Sequence, residues 1–157
     1  MNFIVPQKSA VAFTAEVTRF VVERRLGTPC FVDWPVYKVF TYAGFCLMRR
    51  MCACAVENGR LVTVAFGWPG WGEHIEARAA AGAPEFTWSN PIQGGDSIFI
   101  AEVIGERSRL RVLWDSLGEW CPDIDERRIF TYRRDKLVEL PQALMRRLIY
   151  GQQPKHS

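Results

Sequence analysis

The sequence predicts a single α/β (α+β) domain, a mixed and mainly antiparallel sheet flanked by helices. Three observations lead there. Segments with apolar residues at helical spacing are interspersed with short strand-like runs, which is the pattern of a sheet covered by helices. Asn58-Gly59 stands between two such runs, and Asn-Gly between apolar runs is a strong signal for a tight hairpin. At 157 residues, with 48% hydrophobic and 24% charged side chains, the chain has the length and composition of one ordinary globular domain.

Taken in order, residues 10 to 25 read as an amphipathic helix. Phe13, Val17, Phe20, Val21 and Arg24 fall at helical spacing, with Ser9 as N-cap and Gly27 and Pro29 as the stop. A second helix should follow Trp34-Pro35 and run to Ala43, since proline suits a first helical turn. Met48 to Val56 and Arg60 to Gly67 are the two hairpin strands, and Gly72 to Ala81 is a helix ended by Gly82. After a Pro- and Gly-containing loop comes GGDSIFIAEVIGE, Gly94 to Glu106, which reads as a buried strand. Arg107 to Trp120 is a helix, Arg127 to Tyr132 and Leu137 to Leu140 are strands, and Pro141 to Ile149 is a last helix. With no internal repeat, residues 1 to 150 are expected to form the domain and residues 151 to 157 a flexible tail. The pattern does not fix the topology.

Composition narrows the function. The five cysteines are an odd number, and the start MNFIVPQKSA lacks the basic and apolar regions of a signal peptide. A cytoplasmic protein with reduced thiols is the expectation. No apolar run approaches the roughly 18 residues of a membrane span. Cys52 and Cys54 have C-x-C spacing, not C-x-x-C, and His74 and His156 are the only histidines, so no metal site is expected. Both cysteines should pack one face of a strand. A net charge of +3 does not call for nucleic acid, and the partner expected is a protein, with a second copy of the chain allowed.

Within GGDSIFIAEVIGE a carboxylate interrupts an apolar run. Strict alternation puts Glu102 on the face of Ile98, Ile100 and Ile104. A carboxylate there needs a partner, a raised pKa or a seat at the open end of the strand.

Three stretches, in this order, resemble the toxin-activating lysine acyltransferases that fatty-acylate RTX protoxins. TPCFVDWPV (Thr28 to Val36), after the first helix, is similar to a Ser-Pro-x-His segment that runs on to Trp-Pro-Val. VAFGW (Val64 to Trp68) looks like the family's strand ending in Trp before a Glu-bearing helix. GDSIFIAE (Gly95 to Glu102) resembles the segment in which Gly-Asp precedes the strand of the catalytic Asp. The resemblance implies a fold like that of the GNAT acetyltransferases, no bound cofactor, and an acyl carrier protein as acyl donor. Glu102 takes the position of the family's aspartate, Thr28 that of its serine, and Phe31 that of its catalytic histidine. The family's Ala-Pro-Phe-Gly turn is replaced by Ile104, Gly105 and Glu106.

Acyl transfer to a lysine needs a base and donors for an oxyanion. With phenylalanine at the histidine position, Glu102 alone would be the base if burial raised its pKa, or else it forms an ion pair with an arginine of the later strands. Cys30 is either an acyl-carrying thiol or a plain buried one. His74 could replace the missing base, but its place over Arg78 on a polar helix stripe favours a surface role. Phe31, Trp34, Trp68, Trp71 and Trp88, with Phe86, could line an acyl groove or pack as core and lid. Arg127, Arg128, Arg133 and Arg134 could receive an acidic partner, or form a solvated face balanced by Asp123, Asp125, Glu126 and Asp135. The function expected is that of a divergent acyltransferase. The alternatives are an inactive, protein-binding or inhibitory descendant, or, more remotely, a regulator contacting nucleic acid.

Overall fold

Asn58 and Gly59 both have positive φ, 51° and 75°, and this is the backbone of the tightest hairpin turn. The turn joins β1 (Cys52–Glu57) to β2 (Arg60–Gly70), as the sequence predicts. The computed structural model describes residues 10–27, 31–80, 95–119, 121–133 and 136–151. The other elements are α1 (Ala10–Arg24), α2 (Val36–Met48), α3 (Gly72–Ala80), β3 (Ser97–Gly105), α4 (Arg111–Gly118), β4 (Arg128–Arg133), β5 (Lys136–Leu140) and α5 (Gln142–Tyr150). Among the described residues they form one α+β domain with a five-stranded mixed sheet in the order β1-β2-β3-β4-β5. All neighbours pair antiparallel except β3 and β4, which are parallel. The architecture agrees with the expected fold class and is consistent with a GNAT-like arrangement.

Helices cover both faces. On one side α1 and α2 bury Phe13, Val17, Phe20, Val21, Val39, Tyr42 and Cys46 against Val64, Phe66, Phe99 and Ile104. On the other, α4 and α5 bury Leu113, Trp114, Leu117, Met145 and Ile149 against Ile98, Ile100 and Ile129. Both layers follow from apolar stripes at helical spacing meeting strands that alternate. Cys52 and Cys54 lie on the α1–α2 side and Ala53 between them on the other, so the expected shared face is found.

Several boundaries move: β1 starts at Cys52 and not Met48, and the helix expected from Arg107 is a 3-10 turn at Arg107–Arg109 followed by α4. α2 continues five residues beyond Ala43, through Gly44, and takes Met48 from the expected first strand; it stops where Arg50 turns to a φ of 58°. β2 continues through Trp68 and Pro69 to Gly70. Its pairing with β1 ends at Phe66, while that with β3 continues to Gly70. Proline is tolerated there because one side of β2 has become an edge. Ser9, Gly82 and the loop at 83–94 lie outside the described residues.

Candidate functional site

The register of β2 and β3 decides where Glu102 points. Val64 pairs with Ile104 and Phe66 with Glu102, but Gly67 pairs with Ile100. Ala101 is therefore the extra residue of a β-bulge, and strict alternation fails across it. Ile98 and Ile100 pack with α4 and α5, whereas Phe99, Ala101 and Ile104 pack with α1 and α2. Glu102, opposite Phe66, joins the second group. The expected face shared with Ile98 and Ile100 is thus corrected: the inserted residue turns the carboxylate to the α1–α2 side, where it is half-buried. Gly67 is suited to this point. A Cβ there would stand 2.9 Å from the Phe99 carbonyl oxygen and 3.1 Å from Leu113, so only glycine lets the strands approach so closely.

The bulge coincides with a parting of strands. The parallel ladder pairs Ser97–Ile100 with Arg128–Thr131 and ends there, although β3 and β4 both run on. The Thr131 hydroxyl closes the last rung by donating to the Ile100 carbonyl at 2.8 Å. Glu102 stands just beyond, at the carboxyl end of the only parallel pair among the described strands. Such ends, where an open sheet changes its connection, are where α/β sheets bind ligands.

Two aromatic clusters flank this point on the same face. In the first, Phe31 packs on Trp34, Tyr42 and Phe66 with ring centroids 5.3, 6.0 and 5.4 Å apart. In the second, Phe99 packs on Trp68 at 5.1 Å and Tyr132 at 5.9 Å. Phe66, the cross-strand partner of Glu102, belongs to the first, and Phe99 of the same strand to the second. The Phe31 and Glu102 positions, 71 residues apart in sequence, are thereby brought to one neighbourhood through Phe66. Phe31 is fully buried, with 0% exposure.

Asp96 of the Gly-Asp pair has a structural task. Its Oδ1 accepts the Gly72 N–H at 2.8 Å and the Ser97 hydroxyl at 2.9 Å, capping the first turn of α3 from a distant strand. Those bonds, the Gly72 N–H first, hold its carboxyl below the ordinary carboxylate range. Gly95 has φ +94°, and a Cβ would drive into the Gly70 carbonyl. The pair thus clamps the end of β2, the start of α3 and the start of β3.

The remaining expected site residues that are described do not all gather at Glu102. Thr28, Cys30, Trp88 and Arg134 lie outside the described residues, as does Phe86. Trp34 and Trp68 are half-buried on the Glu102 side, while Trp71 is exposed at the start of α3. Arg127 is buried beside Asp123, with Nε 3.1 Å from Oδ1. Arg128 points into a different group, bonding Glu139 through two nitrogens at 2.7 and 3.2 Å and Glu76 at 3.2 Å. Arg133 is exposed at the end of β4. The neighbouring arginines therefore engage separate carboxylates, Arg127 from the turn before β4 and Arg128 from its first residue. His74 is exposed on α3 and Ile75 packs inward, in keeping with a surface role for the histidine.

The described cysteines, Cys46, Cys52, Cys54 and Cys121, are free and buried. Burial pushes the Cys46 thiol up to about 12 against the opposing effect of a hydrogen bond with Tyr42, and the Cys121 thiol up to about 11. All four are packing groups by their burial. No group of three or more His, Cys, Asp or Glu that could hold a metal occurs among the described residues.

Sequence reasoning missed Phe66 as the cross-strand partner of Glu102, and Tyr42, Phe99 and Tyr132 as members of the two aromatic clusters on the same face. The alternation of Phe66 with Trp68 in VAFGW was a usable signal for one shared face; Tyr42 and Tyr132 had none, because Tyr42 arrives by the packing of α2 on the sheet and Tyr132 by strand order. No protein-family model matches the chain, and no curated protein or solved structure matches it.

Proposed function

We propose that the chain is a divergent acyltransferase of the toxin-activating type, moving an acyl group from an acyl carrier protein thioester to a lysine amine of a protein. The reading rests chiefly on one observation: Glu102 lies past the parting of β3 and β4, on the same sheet face as Phe31. Those are the positions at which the resembling family keeps its acid and its histidine.

In the reaction the lysine ammonium gives a proton to Glu102. The free amine attacks the thioester carbonyl carbon, and the tetrahedral oxyanion collapses as the carbon–sulfur bond breaks. The attacking nitrogen gives its second proton to the departing carrier thiolate, leaving a neutral amide and a thiol, and Glu102 returns the first proton to solvent. Thr28 and Cys30 would stand beside the reacting carbon, and Trp34, Trp68, Trp71 and Trp88 would hold the acyl chain. The protein would work in the cytoplasm, and the four described cysteines, all free, suit a reducing compartment.

A second reading has its own support. Phe31 is sealed among rings where a histidine would need to reach substrate, which favours a non-catalytic descendant that binds or inhibits a protein partner.

One experiment separates the two. The protein and Glu102→Gln are each incubated with acylated carrier protein, and all species are weighed by intact-mass spectrometry. A covalent acyl adduct or faster carrier deacylation, lost in the variant, is the result expected of the acyltransferase. An unchanged carrier beside folded protein overturns it in favour of the binding domain.

A further inference from the structure

The outer side of α2 is mostly apolar, and no element among the described residues covers it. Tyr37, Phe40, Gly44 and Met48 recur at helical spacing, and Tyr37 and Met48 are 74% and 85% exposed. A Cβ added at Gly44 would stand 3.4 Å from Thr14 of α1, so α2 packs on α1 at this point, and Tyr37, Phe40 and Met48 are large apolar side chains that it exposes. Side chains this large and this exposed stand out from the surface and form a ridge, whereas a protein helix docks by its apolar face into a groove.

Charge selects the occupant. From Trp34 to Arg50 the chain has Lys38, Arg49 and Arg50 and no Asp or Glu; Arg50 pairs with Glu119 at 3.3 Å, so Lys38 and Arg49 are the cations that border the ridge. Lys38 and Arg49 lie over the rings of Trp34 and Phe45, with the cations 4.1 and 4.8 Å from the ring centroids. Their stems thus cover apolar surface beside the ridge while their heads stay polar. A second copy laid on this helix would bring like charges together. A convex apolar ridge bordered by cations matches an anionic bilayer surface, into which such residues insert while cations meet headgroups. We propose that α2 is a peripheral docking surface for anionic phospholipid membrane. This requires no membrane span, and no described helix is long and apolar enough to be one.

The test is flotation of the full chain with phosphatidylcholine vesicles, with and without about 30% phosphatidylserine. The protein should float with the anionic vesicles and not with the neutral ones. Tyr37→Ser/Met48→Ser and Lys38→Glu/Arg49→Glu should each weaken that binding by about tenfold or more. These positions are exposed, so far-ultraviolet circular dichroism and thermal melts of the variants should match the parent. Absence from anionic vesicles, equal flotation with neutral ones, or variants that bind as the parent does would each overturn the proposal. So would light scattering that shows a dimer split by Tyr37→Ser/Met48→Ser, which would assign the ridge to a second copy. The readout needs no acyl donor, so it stands or falls apart from acyl transfer.

Discussion

Replacing Phe31 by alanine tests the claim that the histidine position of the resembling family is here a filled core position. Phe31 has no exposure and makes ring contacts with Trp34, Tyr42 and Phe66. Truncating a buried phenylalanine to alanine costs about 3–5 kcal/mol, through lost transfer free energy and the cavity left behind. The edge-on packing against Trp34 places Phe31 toward the upper half of that range. About 4 kcal/mol is a large share of the roughly 5–15 kcal/mol that holds a domain together. With a urea slope of about 2 kcal/mol per molar, the unfolding midpoint should fall by about 2 M. Equilibrium urea unfolding followed by tryptophan fluorescence measures this directly. A loss below about 1 kcal/mol would mean that Phe31 lines an open groove, and the reasoning from its burial would be refuted.

Other outcomes follow from single features. Gly95→Ala should destabilise strongly, because it forces a Cβ into the Gly70 carbonyl at a φ of +94°; Gly59→Ala, at φ +75° with open space around it, should cost only about 1 kcal/mol by the same unfolding measurement. The Asp96 carboxyl is lowered in the folded protein, so its stabilisation is present above its unfolded pKa of about 3.9 and is lost as pH falls through the lower folded value. Asp96→Asn should accordingly flatten the pH dependence of stability below about pH 4, and an unchanged acid-unfolding profile would rule out the capping role. In a thiol-labelling assay on native protein, Cys46, Cys52, Cys54 and Cys121 should stay unreactive, so any fast-reacting thiol must be Cys30; rapid modification of two or more thiols would contradict their burial.

Sequence by itself determined what depends on neighbours along the chain. The Asn58-Gly59 turn follows from two residues that accept positive φ. The first helix follows from Phe13, Val17, Phe20 and Val21 recurring on one stripe, and all four are buried. The common face of Cys52 and Cys54 follows from a strand period that nothing interrupts between them. Glu102 shows where such reasoning stops. Its face depends on one inserted residue, Ala101, and a bulge is a property of two paired strands, set here where Gly67 of β2 lets β3 come close. The tertiary structure also decided that the parallel ladder ends at Ile100 and Thr131, and that Arg127 and Arg128 go to different carboxylates. It brought Phe31 and Glu102 together across Phe66. Local dihedral preference and periodicity are written in consecutive residues, whereas strand order and register arise from contacts between segments far apart in the chain, and those alone placed the carboxylate.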